Sequence, residues 1–221
     1  MDKVRSATGA AALKIANPDE ARRTWVPGAA IPVTREESRQ KVSCLPGSMA
    51  PMTTTATPSS WQDFRTAEPA FADTVQKRFQ QYKHHVLATL RADGSPRVTG
   101  LEVEFRMDAL WLGMMPRSRK ALDLRRDPRF AVQANPGPDD RMADGDIRIS
   151  GRAVEITDAA VLARFVEEVT PPEPFLLFRA DPTEVVRTGI DGDDLVIQVW
   201  RPGHALRTLR RAADDSPVRE V

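Results

Sequence analysis

Apolar residues in the second part of the chain repeat with two periods, and the first of these is helical. After Pro69, which suits the first turn of a helix, Phe71, Val75 and Phe79 follow at every fourth position. They form one apolar stripe, which is the pattern of a helix packed on a core. Three helices are predicted: one from Pro69, one over residues 117–127, and one after the capping pair Thr157-Asp158.

The second period is the two-residue alternation of strands. After Pro96, apolar positions alternate with polar or glycine positions as far as Phe105. An Asp93-Gly94 turn precedes this run and is a strong hairpin signal. Strands are predicted at residues 86–90, in the alternating run, and at 109–115, 129–134, 146–156, 183–190 and 195–200. We therefore predict a mostly β (α+β) body with six to seven antiparallel strands in a closed or nearly closed sheet, flanked by three helices.

Residues 1–60 have a different composition. They contain one aromatic residue, Trp25, and proline interrupts them repeatedly. Such a segment buries too little apolar surface to offset roughly 1–2 kcal/mol of backbone ordering per residue. We predict a disordered N-terminal tail at 1–60, a folded domain at 61–211 and a disordered C-terminal tail at 212–221. Met49 or Met52 is an alternative translation start.

Composition limits the class of protein. The 32 basic and 31 acidic residues give a formal charge of +1, which excludes a polyelectrolyte that coats nucleic acid or an anionic membrane. Cys44 is the single cysteine, so an intrachain disulfide framework is excluded and a cytoplasmic location is expected. Apolar runs of about 18 residues are absent from the sequence.

Side chains suited to catalysis are scarce. The imidazoles are His84, His85 and His204, and the spacing of His, Cys and carboxylates predicts no metal site. His84 or His85 is a candidate base, although the favoured interpretation of the pair is a helix end entering a strand. Proteins with so few reactive side chains often use the chemistry of a cofactor.

The most concentrated chemical signal lies at residues 116–122. Arg117, Ser118, Arg119 and Lys120 stand where a predicted strand ends and a helix begins. A helix start offers free backbone N–H groups and the positive end of its dipole, and the added cations suit a phosphate. A solvated basic helix face is the alternative interpretation.

Three motifs around this cluster resemble the flavin-binding split barrel of the pyridoxamine 5′-phosphate oxidase family. They read G-S-P-R-V-T-G-L-E at 94–102, W-L-G-M-M-P-R-S-R-K at 111–120 and D-P-R at 127–129. The resemblance covers roughly residues 83–203. It implies a split antiparallel barrel, bound flavin mononucleotide (FMN), and a homodimer with cofactor sites at the interface.

The resemblance also implies which residues bind the cofactor. Arg119 and Lys120 would hold the phosphate, residues 97–100 would lie along the isoalloxazine ring, and Gly113 with Met114 would contact the ribityl chain. The implied set is Arg97, Val98, Thr99, Gly100, Gly113, Met114, Ser118, Arg119 and Lys120. It names no catalytic side chain.

Departures from the family pattern bear on the reaction. Glu102 stands where the true oxidase has a lysine, and the oxidase's C-terminal signature is absent after Trp200. These differences argue against oxidation of vitamin B6. The W-R-P-G and L-R-R-D-P-R segments look instead like relatives that use FMN or the deazaflavin coenzyme F-420, whose anionic tail could be bound by Arg117, Arg119, Arg125 and Arg126.

Two functions follow as hypotheses. The first is a flavin- or deazaflavin-dependent oxidoreductase that moves a hydride between its cofactor and a small organic substrate. The second is a non-catalytic carrier of the same cofactor on the same barrel. A nucleic-acid patch over residues 117–129 is disfavoured by its interleaved acids.

Overall fold

The computed structural model describes residues 59–138, 145–214 and 216–221. Its helices are α1 (Trp61–Ala67), α2 (Pro69–Gln80), α3 (Arg119–Arg126) and α4 (Ala159–Val169). Its strands are β1 (His85–Leu90), β2 (Pro96–Leu101), β3 (Val103–Arg106), β4 (Ala109–Met114), β5 (Arg129–Gln133), β6 (Asp146–Glu155), β7 (Leu176–Asp191), β8 (Asp194–Trp200), β9 (Arg207–Arg211) and β10 (Arg219–Glu220). The mostly β, α+β class with an antiparallel sheet is confirmed.

The N-terminal tail predicted at 1–60 lies outside the described residues except for Ser59 and Ser60. These two serines belong to the fold. The Ser59 N–H donates to the carbonyl oxygen of Pro182, and Ser60 caps α1 in a reciprocal capping box with Asp63. The predicted start at residue 61 is therefore two residues late. The short helix α1 adds a fourth helix to the three predicted ones.

The strands form one antiparallel sheet of the order β10-β9-β8-β7-β6-β5-β1-β2, with β4 joined to β7 and β3 joined to β4. β7 runs for 16 residues and pairs with β4, β6 and β8. It begins seven residues before the strand predicted at 183–190. At the bend beside this strand, a Cβ on Gly151 would lie 2.2 Å from the Asp181 carbonyl oxygen, so only glycine fits there.

The alternating run after Pro96 is two strands, not one. β2 pairs with β1, β3 pairs with β4, and Glu102 separates them. The side-chain alternation continues across the break, which is why periodicity alone did not reveal it. Because β2 and β3 are not paired within the described residues, the sheet is not closed there.

The helical stripe predicted from Pro69 onward is confirmed. Phe71, Val75 and Phe79 are buried in the main core together with Phe64 and Trp200. Burying each such side chain contributes roughly 1.5–3 kcal/mol. A second, smaller apolar cluster of Ala109, Trp111, Phe165 and Leu177 lies under α4.

The C-terminal segment contains structure where we predicted a disordered tail at 212–221. β10 pairs with β9, and the Arg207 guanidinium binds the Glu220 carboxylate at 2.8 and 2.9 Å. β9 reads R-T-L-R-R and lacks apolar alternation, and it lies next to the edge of the sheet, which the two-residue strand β10 forms. Periodicity therefore missed both strands.

Among the described helices, none combines the length and apolar character needed to cross a bilayer.

Candidate functional site

A groove of about 520 Å³ opens where the sheet is broken between β2 and β3. The other sides are formed by the β4–α3 junction and by the connection from α4 to β7. Five of the nine predicted cofactor residues line it: Gly100, Gly113, Met114, Ser118 and Lys120. The fold thus brings together two of the three motifs, those at 94–102 and 111–120, whereas the motif at 127–129 does not line the groove.

The first turn of α3 forms the cationic end of the groove. Ser118 is the N-cap, and its hydroxyl oxygen accepts a hydrogen bond from the Ala121 N–H. Lys120 reaches back across the groove, and its ammonium donates to the Gly100 carbonyl oxygen at 2.6 Å. Burial lowers the pKa of Lys120. An ammonium has three N–H donors, so two of them remain for a bound anion.

Two glycines form the flat part of the groove. Gly100 on β2 and Gly113 on β4 are exposed, and a Cβ at either position would have no atom within 4 Å. Neither glycine has a positive φ. The protein itself therefore requires no glycine here, although glycine in a strand costs roughly 0.5–1 kcal/mol relative to alanine. Such glycines mark a surface that a ligand approaches closely.

An apolar wall faces these glycines. It consists of the end of α4 and the proline-rich connection that follows, including Phe165, Val169, Pro171 and Phe175. Phe165 is buried and packs edge-on against Trp111 with 5.9 Å between ring centroids. Residues 171–174 were not among the predicted cofactor residues, because neither composition nor period shows which surface a loop covers.

The opposite end of the groove is mixed in charge. Glu102 lies 3.4 Å from the Lys83 ammonium and 3.6 Å from the His84 imidazole, and Glu104 lines the same end. The reversed charge noted at Glu102 therefore lies on the rim. His85 is turned inward against Phe79, and burial, with smaller effects of His84 and Arg78, lowers its pKa. Of the two candidate bases, only His84 lines the groove.

Four predicted cofactor residues do not line the groove. Side chains of consecutive strand residues point to opposite faces, so the run 97–100 cannot present all four side chains to one ligand. Val98 is 66% exposed and shares a face of β2 with Gly100, but it lies farther along the strand and does not line the groove; the Thr99 hydroxyl, on the other face, is buried without a hydrogen-bond partner among the described residues. Arg119 is exposed beside the groove. Their roles in cofactor binding stay predictions.

Arg97, the fourth of these residues, is held by a buried carboxylate. Its Nε donates to Asp123 at 2.6 Å, and the same carboxylate accepts from the Thr89 hydroxyl at 3.0 Å and from Arg126 at 3.2 Å. Burial alone would raise the pKa of Asp123, but the hydrogen bonds from Arg97, Thr89 and Arg126 lower it. The carboxylate is therefore ionised at neutral pH.

Two of the four arginines predicted as candidates for binding a deazaflavin tail already form ion pairs within the protein. Arg125 binds the Glu155 carboxylate with both its Nε and an Nη, and Arg126 binds Asp123. Arg117 and Arg119 are exposed, and neither forms an ion pair with any described residue. The part of the chain that the structure describes holds no cluster of three or more His, Cys, Asp or Glu residues able to bind a metal ion.

Residues 71–189, more than half of the chain, match the pyridoxamine 5′-phosphate oxidase family. The chain belongs to this family. The match includes β1 to β6 and most of β7, and with them every residue of the groove described above. The resemblance inferred from the three motifs is therefore confirmed.

The chain is also similar, at low identity, to solved structures. PhzG from Burkholderia lata 383, in complex with tetrahydrophenazine-1-carboxylic acid, is 18% identical, with 70% of this chain and 93% of that chain covered and a TM-score of 0.44. HutZ, the heme storage protein from Vibrio cholerae, is 18% identical over 63% of this chain and 96% of its own, with a TM-score of 0.41. The General Stress Protein 26 from Bacillus anthracis is 19% identical over 52% of this chain and 91% of its own, with a TM-score of 0.41. A search of curated proteins finds no match.

Proposed function

We propose that this protein binds FMN in the groove and is an oxidoreductase that transfers a hydride between the flavin and a small organic substrate. The observation that carries the proposal is the combination of a cationic helix start with two unconstrained strand glycines in one cavity. A phosphate fits the cationic helix start, and a flat ring system fits over the two glycines. The flavin, when bound, supplies the hydride chemistry.

The phosphate end is the part of the site with the clearest donors. Lys120 offers its ammonium, and the start of α3 offers backbone N–H groups and the positive end of the helix dipole. Ser118 holds that helix start in place by capping it. Charge-assisted hydrogen bonds to an anion contribute roughly 1.5–3 kcal/mol each, so this end should dominate the affinity.

The chain's own contribution to the reaction is positioning. Gly100 and Gly113 allow a ring to lie directly on the backbone of two strands, and the apolar wall from Phe165 to Phe175 excludes water from its other side. His84 is the one imidazole on the rim. We assign no catalytic residue.

FMN is preferred to the deazaflavin. The longer anionic tail of the deazaflavin needs free cations beyond the phosphate, whereas Arg125 and Arg126 are already bound to Glu155 and Asp123. Arg117 and Arg119 support the deazaflavin as the second candidate. That no catalytic residue is assigned in the groove supports the other alternative, a carrier without turnover.

We further propose that the protein is a homodimer with the groove at the interface, in the cytoplasm as its single cysteine suggests. The outer face of β1 and β2 exposes Val86 and Val98, and both strands end beside the groove. A second copy covering this face would bury those apolar side chains and close the open side of the site. Sedimentation of the full chain as a monomer, with and without FMN, would contradict this arrangement.

The visible spectrum of the purified full chain, followed by titration with FMN, riboflavin and the deazaflavin, tests the proposed cofactor. We expect Lys120→Met to weaken FMN binding about tenfold or more and riboflavin binding much less, because only FMN carries a phosphate. Lys77→Met, on the exposed side of α2, is the matched control. Equal affinity for FMN and riboflavin in the wild-type protein would remove the phosphate assignment.

Turnover separates the enzyme from the carrier. The FMN-loaded protein should be reduced by a nicotinamide donor and reoxidised by an organic acceptor in repeated cycles. Tight FMN binding without turnover on any donor would favour the carrier.

A further inference from the structure

Asp123 connects three elements behind the groove. It is 3% exposed, and its two carboxylate oxygens accept hydrogen bonds from Thr89 on β1, Arg97 on β2 and Arg126 on α3. None of these residues lines the groove. A carboxylate so deeply buried costs several kcal/mol to desolvate, and it persists only when such partners compensate it.

The same helix and strand also meet at the groove itself. Lys120 and Asp123 are three residues apart, so they lie on one face of α3. Lys120 contacts Gly100, and Asp123 contacts Arg97, and both partners are on β2. Two bonds therefore dock α3 on a single strand, one of them at the ligand end and the other buried behind it.

The buried bond is the stiffer of the two. Asp123 has three donors on three elements, whereas Lys120 has a flexible four-carbon stem and one carbonyl partner. The direction of the helix start, and with it the reach of the Lys120 ammonium, is set by the contact that moves least. An ionised carboxylate is needed for this, since a neutral amide would accept fewer and weaker hydrogen bonds from the two guanidinium groups.

We propose that Asp123 is a positioning residue for anion binding: by tying α3 to β1 and β2, it holds Lys120 and the helix start where they bind the phosphate of the ligand. This inference rests on the proposed function, because it takes the phosphate of FMN as the anion. It adds a residue outside the groove to those that determine the affinity.

The test compares FMN with riboflavin on the full chain. Asp123→Asn should lower the ratio of FMN affinity to riboflavin affinity by about threefold to tenfold, since a misplaced lysine loses much of a charge-assisted bond. A general loss of folding would weaken both ligands equally and leave the ratio unchanged. Asp127→Asn is the matched control, because Asp127 is also paired with an arginine, Arg129, but contacts no residue of β2.

The double variant Asp123→Asn with Lys120→Met tests the route of the effect. Because Asp123 is proposed to act through Lys120 and the helix start, the loss of the ratio in the double variant should be clearly smaller than the product of the two single losses. If the double variant instead lost the full product of the two single losses, the inference would be overturned. An unchanged ratio of FMN to riboflavin affinity in a folded Asp123→Asn variant would overturn it as well.

Amide hydrogen exchange without ligand separates this inference from the proposed function. In Asp123→Asn the amides of residues 119–121 and 97–101 should exchange at least about tenfold faster, and in Asp127→Asn they should not. If the wild-type protein binds no FMN, the proposed function fails, and the exchange result alone decides whether Asp123 positions α3. Arg97→Gln breaks the same link from β2 and serves as the second variant if Asp123→Asn does not fold. Unchanged exchange in both variants would overturn the inference.

Discussion

Substitution of Gly113 should separate the needs of the fold from the needs of the ligand. The structure leaves open space at the Cβ position of Gly113, and the backbone there does not require glycine. Gly113→Ala should therefore raise the free energy of unfolding by roughly 0.4–1 kcal/mol, because alanine restricts the unfolded chain. For a domain of this size that corresponds to a rise in Tm of roughly 1–4 °C.

The same substitution should weaken the binding of FMN. A methyl group at residue 113 projects into the groove, and a β-branched Val fills more of it. We expect FMN affinity to fall about tenfold in Gly113→Ala and further in Gly113→Val, as an overpacked contact costs roughly 1–3 kcal/mol. Thermal unfolding and FMN titration on the same preparations measure both effects.

Gly151→Ala is the control for a glycine that the fold requires. Its Cβ would meet the Asp181 carbonyl oxygen at 2.2 Å, so this variant should lose stability. If Gly113→Ala lost as much free energy of unfolding as Gly151→Ala, the conclusion that the fold leaves space for a Cβ at residue 113 would be wrong. If Gly113→Val were stable and bound FMN as the wild-type protein does, the groove would not be the flavin site.

Two further predictions concern the surroundings of the groove. Hydrogen bonds from Arg129 lower the pKa of Asp127 to about 2 from 3.8, so this pair stabilises the fold above about pH 4 and the contribution is lost as pH falls through about 2. Because the pair is largely solvated, its contribution should be under about 1 kcal/mol, and acid unfolding of Asp127→Asn should match the wild-type curve below pH 2 and fall short of it at neutral pH. Phe165→Ala should cost roughly 3–5 kcal/mol by emptying a buried site under the apolar wall, and chemical denaturation measures it. A loss below 1 kcal/mol would contradict the packing of that wall.

Much of the site could be predicted from local sequence. Ser118, with Lys120 two residues later, marks a capped helix start with a cation, and such a start binds phosphate by means of its own backbone. Gly100 and Gly113 were implied by the resemblance of their motifs to the family. These signals are local, since each depends on residues within one turn or one strand.

The rest of the site depends on contacts between distant segments. Glu104 comes to the groove because β3 pairs with β4, and the connection before β7 comes to it because β4 pairs with β7. The break at Glu102 became visible only from the pairing of β2 with β1 and of β3 with β4. Arg97 was predicted to contact the cofactor, yet its Nε is bound to Asp123, 26 residues away in the chain. A linear pattern holds no information on which carboxylate an arginine will meet.

The sequence by itself determined the family, the antiparallel β class, the stripe of α2 and the capped start of α3, because periodicity and capping depend on neighbouring residues. Only the tertiary structure decided where the sheet opens, which strand faces carry Arg97 and Val98, and which arginines are already paired. The physical reason is that ion pairs and sheet edges are settled by long-range packing, in which each group takes the partner that the fold brings within reach.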